Sequence, residues 1–373
     1  MNCKTLGDLG TIITGKTPPT KEASYWNGNI PFITPKDIQI TKHVFSTERC
    51  ISSEGLEKVR GAKLPAGAIC VSCIGNIGYV GVTTETSVSN QQINSIVVND
   101  DNDSEFVFYL LKNLWIYFKN YEGQSTTLSI LNKTHFSEIE VNVPEKSVQK
   151  KIATILSCID NKIELNQKIN SNLERQAEAI FQSWFTDGKE INGCLADICQ
   201  YSNEKVAVSL LDLDSYYSTE NMLPGKAGAT QAAKLPTITQ TTKCNAGDVL
   251  VSNIRPYFKK IVYCYADCGC STDVLCFTPK QGTLSAYLFF TLYADGFFDF
   301  MVAGSKGTKM PRGDKQQIMM YPVYAPSDEE LTRFNSIAQP ILKQIQLNRE
   351  ENKRLIALRD MLLPKLMTGE IIL

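Results

Sequence analysis

Apolar residues recur along 144–188 in steps of four and three: Ile152, Leu156, Ile159, Ile163, Leu173, Ala177, Ile180 and Trp184, with Asn166 and Asn170 at the two intervening positions. This is the heptad seam of a long helix that lies against another helix. Moving 182 residues down the chain reproduces the seam without insertion or deletion as Phe334, Ala338, Ile341, Ile345, Asn348, Asn352, Leu355, Leu362 and Leu366, and only Arg359 breaks the apolar run. Helices of roughly 40 residues would each extend on the order of 60 Å. Antiparallel pairing sets Asn166 against Asn352 and Asn170 against Asn348, and polar pairs inside an apolar seam fix register at some cost in stability. These four asparagines are the expected register residues.

Outside the two helices the pattern shortens. Ile30-Pro31-Phe32-Ile33-Thr34, Ala68-Ile69-Cys70-Val71 and Ser95-Ile96-Val97-Val98 predict strands, and Glu105 to Tyr121 predicts one helix with Phe106, Tyr109, Leu110, Leu114 and Phe118 on its apolar face. Asp187-Gly188 ends the first long helix. A looser copy of this plan follows. Leu6-Gly7-Asp8-Leu9 is echoed by Leu195-Ala196-Asp197-Ile198, and Pro65-Ala66-Gly67-Ala68-Ile69 by Asn245-Ala246-Gly247-Asp248-Val249. Ser327-x-x-Glu330 supplies a capping box for the second long helix. The pattern predicts two mixed α/β (α+β) globular domains in tandem, 1–143 and 189–326. Two long α-helices, 144–188 and 327–373, separate them and form an antiparallel coiled coil, giving a pseudo-twofold internal repeat. A chain that imitates a symmetric dimer suits a roughly twofold ligand such as duplex DNA, whose faces recur every ~34 Å.

Composition adds exclusions. The chain has 373 residues, 43% hydrophobic and 21% charged, with a net charge of −1, so any DNA contact has to come from local basic patches rather than a global field. No apolar run approaches the ~20 residues of a membrane span, and the N-terminus lacks a signal-peptide core; a cytoplasmic location is expected. Twelve cysteines are then read as reduced. Cys70-x2-Cys73 has metal-ligand spacing and Cys264, Cys268, Cys270 and Cys276 cluster, but with two histidines and no second CxxC no metal site is expected.

Three motifs imitate chemistry. Gly10-Thr11-Ile12-Ile13-Thr14-Gly15-Lys16-Thr17 satisfies the P-loop pattern, yet Pro18-Pro19 stands where backbone N–H groups would cradle phosphate. Asn29-Ile30-Pro31-Phe32 is similar to an amino-methyltransferase signature without its first proline, and Glu351-Asn352-Lys353 has the spacing of a nuclease site but straddles the second seam. No catalytic residue is assigned.

Leu6-Gly7-Asp8-Leu9, Thr14-Gly15-Lys16-Thr17-Pro18, Tyr25-Trp26-Asn27-Gly28-Asn29-Ile30-Pro31-Phe32-Ile33-Thr34-Pro35-Lys36-Asp37, Asn90-Gln91-Gln92-Ile93, and Pro144 with Gln149-Lys150-Lys151-Ile152 follow one another along the chain. Through these segments the chain resembles the specificity subunit of type I DNA restriction-modification systems. The resemblance implies a non-catalytic subunit with no cofactor of its own. Each globular domain would be a target recognition domain reading half of a split site on double-stranded DNA, and the coiled coil would set the spacer and dock two methyltransferase (modification) subunits. S-adenosylmethionine, ATP and Mg2+ would belong to partner subunits, the restriction subunits included. Alternatives are a coiled-coil assembly scaffold without DNA readout, and a self-contained DNA methyltransferase or ATPase.

Base edges are read by loop side chains, while Lys, Arg, Ser, Thr and backbone N–H groups hold phosphates. In the first domain the candidates are Lys16, Thr17, Lys21, Tyr25, Trp26, Lys36, Asn76, Tyr79, Gln91, Gln124, Ser125, Thr126 and Lys133. In the second they are Arg255, Tyr257, Lys259, Lys260, Ser305, Lys306, Lys309, Arg312 and Lys315, with Lys309 and Arg312 foremost because they lie in a Gly/Pro-rich loop.

Overall fold

The computed structural model describes residues 2–39, 42–123 and 129–373. It divides into two units, Met1–Glu164 with Asn352–Leu373, and Leu165–Glu351. In the first unit, strand Ile69–Ser72 is buried along its whole length. It lies third in a five-stranded sheet ordered Gly10–Thr14, Ile93–Val98, Ile69–Ser72, Val80–Thr83 and His43–Val44. A strand covered on both faces reads as a continuous apolar run instead of alternating, which is why Ala68 to Val71 carries no polar residue. Cys70 and Cys73 belong to this core, where burial pushes their thiols up to about 11 and about 12. A second sheet orders Arg49–Ile51, Trp26–Ile33, Ser87–Ser89 and Lys63–Leu64.

The second unit repeats the order of the first four strands. Cys199–Tyr201, Val274–Pro279, Val249–Ser252 and Ile261–Tyr263 form an antiparallel sheet in that sequence. Its other sheet orders Lys205–Ala207, Gln240–Cys244, Cys268–Cys270 and Tyr216–Tyr217. The echoed sequences share local physics. Asp8 accepts the Thr5 N–H at 2.7 Å, and Asp197 accepts the Cys194 N–H at 2.7 Å. Gly67 and Gly247 turn into the central strands at φ +82° and +95°, where a side chain would be strained.

Two features differ from the pattern's prediction. The helix expected over Glu105 to Tyr121 is two helices, Ser104–Asn113 and Trp115–Gly123, and its counterpart is Ser285–Tyr293 followed by Asp295–Ala303. The break at Leu114 preserves the three-four spacing of apolar residues, so periodicity does not reveal it. The seam of the first long helix also drifts. Beyond Ala177 the buried side chains are Phe181 and Phe185, while Ile180 and Trp184 are half-buried. Here the helix meets the helix Ser285–Tyr293 as well as its long partner. Phe181 lies 5.4 Å from Tyr287 and 6.0 Å from Phe334, and Phe185 lies 5.0 Å and 5.2 Å from the same rings. Two neighbours require a wider apolar stripe than a heptad seam provides.

The long helices are Lys146–Phe185 and Asp328–Thr368. The Ser327–Glu330 capping box starts the second: Ser327 N–H donates to Glu330 Oε2 at 2.9 Å, and Glu330 N–H to Ser327 Oγ at 3.3 Å. Within each unit the helices run antiparallel. In the first, Ile152, Ala153 and Leu156 share a core with Leu363, Leu366 and Met367. There Arg359 Nη1 reaches the buried Asp160 carboxylate at 2.9 Å, and Tyr109 donates its hydroxyl to the other carboxylate oxygen at 2.7 Å. The break in the seam is thus one half of an ion pair. In the second unit, Asn348 Nδ2 donates to Asn170 Oδ1 at 2.7 Å. Asn166 Nδ2 donates to Glu351 Oε2 at 2.7 Å, and Asn352 Nδ2, in the first unit, to the Ile163 carbonyl at 3.3 Å. Among the described residues no single helix is long and apolar enough to cross a membrane.

Candidate nucleic-acid interface

In both units some of the candidate side chains gather where the chain leaves the central strand. In the first, the loop from Cys73 to Tyr79 is stitched to the segment after residue 128. Leu131 N–H donates to the Cys73 carbonyl at 2.8 Å, and Ile74 bridges Ile130. Gly75 and Gly78 take left-handed backbone, φ +76° and +99°. Ser72 Oγ fixes the turn by donating to the Asn76 carbonyl at 2.6 Å and accepting from Tyr79 N–H at 2.9 Å. The exposed Asn76 and Lys36 then share a cavity of about 400 Å3 with Asn90 and Gln92. Lys36 also pairs with Glu48 at 3.7 Å, but both side chains are largely exposed, and such pairs contribute roughly 0–1 kcal/mol, too little to withhold the lysine from a phosphate. Beside this cavity Thr17 Oγ1 donates to Gln91 Oε1 at 2.6 Å.

Other first-unit candidates stand apart. Lys16, Lys21 and Lys133 are exposed, and Tyr25 is half-buried. Tyr79 packs against Trp115 at 5.6 Å, with the Lys119 ammonium 4.5 Å from the Trp115 ring. Trp26 is a correction. It is buried, donates Nε1 to the Pro19 carbonyl at 3.3 Å, meets Phe32 edge-on at 5.2 Å and carries the Arg49 guanidinium 3.6 Å from its ring centroid. These contacts use the ring in packing, with the Arg49 guanidinium over it. Gln124, Ser125 and Thr126 lie outside the described residues. The P-loop lookalike is a strand: Gly10–Thr14 pairs with Ile93–Val98.

The second unit builds the same loop pair with charged residues. Ile254 and Lys306 both bridge Arg312, and Arg255 N–H donates to the Pro311 carbonyl at 2.8 Å. Arg255 and Lys259 hold φ +51° and +50° on either side of the short turn Pro256–Phe258. Non-glycine residues in such backbone cost of order 1–3 kcal/mol each and persist where surrounding structure enforces them, often at functional sites. Here backbone bonds enforce them, since Gly225 and Lys226 N–H groups donate to the carbonyls of Phe258 and Lys259. The turn presents Tyr257, 50% exposed, and Phe258, 40% exposed.

Around it, Arg255 Nη2 reaches the Lys309 carbonyl at 3.4 Å, Arg312 pairs with Asp273 at 2.9 Å, and Lys306 with Asp314 at 2.7 Å. Arg255, Tyr257, Lys306, Lys309 and Arg312 thus come together. Lys259 and Lys260 are otherwise engaged. Lys259, with Lys226, pairs with Asp295 and holds its carboxyl below the usual range. Lys260, whose pKa burial lowers, donates to the Thr219 carbonyl at 2.6 Å. Lys315 stands over the Tyr201 ring at 5.9 Å, and Ser305 Oγ donates to the Val302 carbonyl at 2.7 Å.

Sequence reasoning passed over Asn253. Its side chain is buried, and among the described residues neither its Oδ1 nor Arg255 Nε has a hydrogen-bond partner. A buried polar atom left unsatisfied costs about 1–3 kcal/mol, so two at the floor of one loop pair mark a place where polar groups are withheld from the fold. The available signal was position: Asn253 follows the echoed strand as Cys73 does. Asn90 and Gln92 flank a residue that was chosen, Gln91.

Comparison with known proteins points the same way. Residues 1–175 match the family model described as the type I restriction modification DNA specificity domain. The type I restriction enzyme MjaIX specificity subunit of Methanocaldococcus jannaschii is 26% identical, over 99% of this chain and 93% of its own length. The type I restriction enzyme HindI specificity subunit of Haemophilus influenzae is 36% identical over 168 residues, 43% of this chain and 37% of that protein. The crystal structure of a type I restriction-modification S subunit from M. genitalium superposes with a TM-score of 0.60 at 15% identity, covering 98% of this chain and 96% of that one.

Proposed function

We propose that the chain is a type I restriction-modification DNA specificity subunit, a reading supported by the match of residues 1–175 to that family model and by the likeness to the MjaIX specificity subunit, and that each unit reads one half of a bipartite duplex DNA site through its loop pair. The family is non-catalytic, so this chain gives an address and leaves chemistry to its partners. The observation that carries the reading is the loop pair itself, built twice on the same strand order: Ile74 with Ile130 in the first unit, and Ile254 with Arg312 in the second. One copy offers amides over a concave floor; the other offers guanidinium groups, lysines and exposed rings. Amides and guanidinium groups are the side chains that pair bidentately with adenine and guanine edges, and two dissimilar copies suit two dissimilar half-sites.

In this reading the long helices form an antiparallel coiled coil whose length in heptads sets the spacer between half-sites. The same helices dock two modification subunits, which hold S-adenosylmethionine, and the complex acts in the cytoplasm. Restriction subunits with ATP and Mg2+ join through the assembled complex. The test exchanges 189–326 for the corresponding segment of another such subunit, then sequences the methylated adenines made by the complete system. One half of the recognised site should change while the other half and the spacer persist. An unaltered site would leave only the assembly role of the helices.

A further inference from the structure

The second unit packs Cys244, Cys264, Cys268, Cys270 and Cys276 into one buried cluster. DNA reading uses none of them. Three also have partners other than sulfur: Cys276 donates to Asp248 Oδ2 at 3.2 Å, Cys270 faces the Val274 carbonyl at 3.7 Å, and Cys244 the Thr242 carbonyl at 3.8 Å. The remaining two face each other, with Cys264 Sγ and Cys268 Sγ 3.6 Å apart. They stand at the two ends of the turn between strand Ile261–Tyr263 of one sheet and strand Cys268–Cys270 of the other. Cys264 also lines a cavity of about 560 Å3 together with Tyr263, Tyr265, Gln339 and Lys343, which brings a small molecule next to one member of the pair. Among the described residues no three His, Cys, Asp or Glu side chains converge as metal ligands would, so the geometry favours sulfur–sulfur chemistry.

We propose that Cys264 and Cys268 are a modification site for hydroperoxides, closing to a disulfide that staples the two sheets of the second unit at their shared turn. The steps balance. The Cys268 thiolate attacks one peroxide oxygen, the O–O bond breaks, and with one proton taken up the other oxygen leaves as water, or as an alcohol from an organic peroxide. Cys268 is then a sulfenic acid. The Cys264 sulfur attacks the Cys268 sulfur and water departs. Two thiols are oxidised by two electrons and the peroxide is reduced by two. Bonding needs the sulfurs to approach from contact distance to about 2 Å. Cys268 is the attacking group because hydrogen bonding with the Cys244 and Cys264 sulfurs pulls it below the ordinary thiol range, whereas hydrogen bonding with Cys268, together with burial, pushes those two above it.

The full chain is treated with a small molar excess of hydrogen peroxide, unfolded in an alkylating reagent, and cleaved on the N-terminal side of Asp267, which separates the two cysteines. The expected result is that the Cys264 and Cys268 peptides stay joined until reductant is added, while Cys244, Cys270 and Cys276 are alkylated. In Cys264→Ser the joined species should vanish and a sulfenic acid at Cys268 should become trappable with a 1,3-diketone. Full alkylation of both cysteines in the treated wild-type chain would overturn the proposal. So would a bridge from Cys268 to Cys244, or thiols that react only after a chelator is added, since that identifies a metal site.

Discussion

Where the chain leaves its central strand, the first unit places Gly75 and Gly78 in left-handed backbone, and the second places Arg255 and Lys259 there. The turns are otherwise alike, each held by a serine at the end of the strand and by a bridge to a second loop. Inside the paired helices the contrast reverses. Asp160 and Arg359 of the first unit form a buried ion pair, and their counterparts 182 residues away, Leu342 and Ala177, are buried apolar residues. At these two positions the first unit therefore carries an ion pair where the second carries apolar residues. In the loop the first has glycines where the second sets cationic residues in left-handed backbone. Glycine was available at Arg255 at no steric cost, as Gly75 demonstrates. Arg255 thus holds with a side chain the left-handed backbone that Gly75 holds without one.

The largest expected effect breaks the helix side of this contrast. Arg359→Ala leaves the Asp160 carboxylate buried without its cation, and removing one partner of such a pair costs about 3–5 kcal/mol. Making the first unit resemble the second, by combining Tyr109→Phe, Asp160→Leu and Arg359→Ala, should recover most of that loss, because a buried ion pair replaced by apolar residues is often neutral. Urea unfolding of the single and triple variants measures both. If the single variant unfolds at the wild-type midpoint, Asp160 is solvated and the ion pair is not a buried one.

The loop side predicts opposite signs for stability and binding. Arg255→Gly should relieve strain and gain up to about 1–2 kcal/mol of stability, while the complete complex loses about 1–3 kcal/mol of affinity for its own site, the worth of a good base contact. Gly75→Arg is the reciprocal change. A side chain at Gly75 meets open space, so the expected loss of about 1–2 kcal/mol is backbone strain alone. Gly78 is unsuited to this test, because a Cβ there would lie 2.9 Å from Phe118 Cβ. Thermal unfolding and a binding titration on the same preparations separate the two quantities. Should Arg255→Gly lower stability and leave binding intact, Arg255 is a structural residue.

The same contrast explains what the sequence could disclose. The helix seams were legible because heptad spacing survives in the one-dimensional pattern, and a gapless copy at 182 residues exposed the duplication. Even Arg359 was visible as an exception, although its partner Asp160 was not: Asp160 sits one position beside the seam residue Ile159 and becomes buried only once Tyr109 covers it. The echoed turns marked the repeat but not the strand order. The interface was less legible, because reading depends on which side chains loops bring together. Trp26 stood among the DNA-binding candidates, and in the fold Phe32 and Arg49 pack around it. Asn253 looked ordinary until burial left its oxygen unpartnered. Lys259 and Lys260 were DNA-binding candidates in the sequence, and folding engages them with Asp295 and the Thr219 carbonyl.

The smallest effect concerns how each unit starts its long helix. The first uses a neutral residue: Gln149 is buried, accepts from Asp103 N–H at 2.8 Å and donates to the Pro144 carbonyl at 2.9 Å. The second uses a charge, since Glu330 receives Lys189 Nζ at 2.8 Å, the Ser327 N–H and hydroxyl, and the Tyr324 hydroxyl. The Lys189 bond, followed by the Ser327 N–H, holds the Glu330 carboxyl down at about 2. A depressed carboxylate contributes stability above its unfolded pKa, near 4.3 for glutamate, and that contribution is lost as pH falls toward the folded value. Acidification from about pH 4.5 to about pH 2 should therefore loosen the start of the second helix in a way that Gln149 does not allow in the first. Amide hydrogen exchange reports it as protection lost at Glu330 and Leu331 while Gln149 and Lys150 keep theirs, and Glu330→Gln should abolish the difference in pH response. Exposure makes the effect small, because solvent screens the Lys189–Glu330 pair. Equal loss at both helix starts would mean that general acid unfolding outruns the cap, and that the charged and neutral solutions are equivalent in their response to acid.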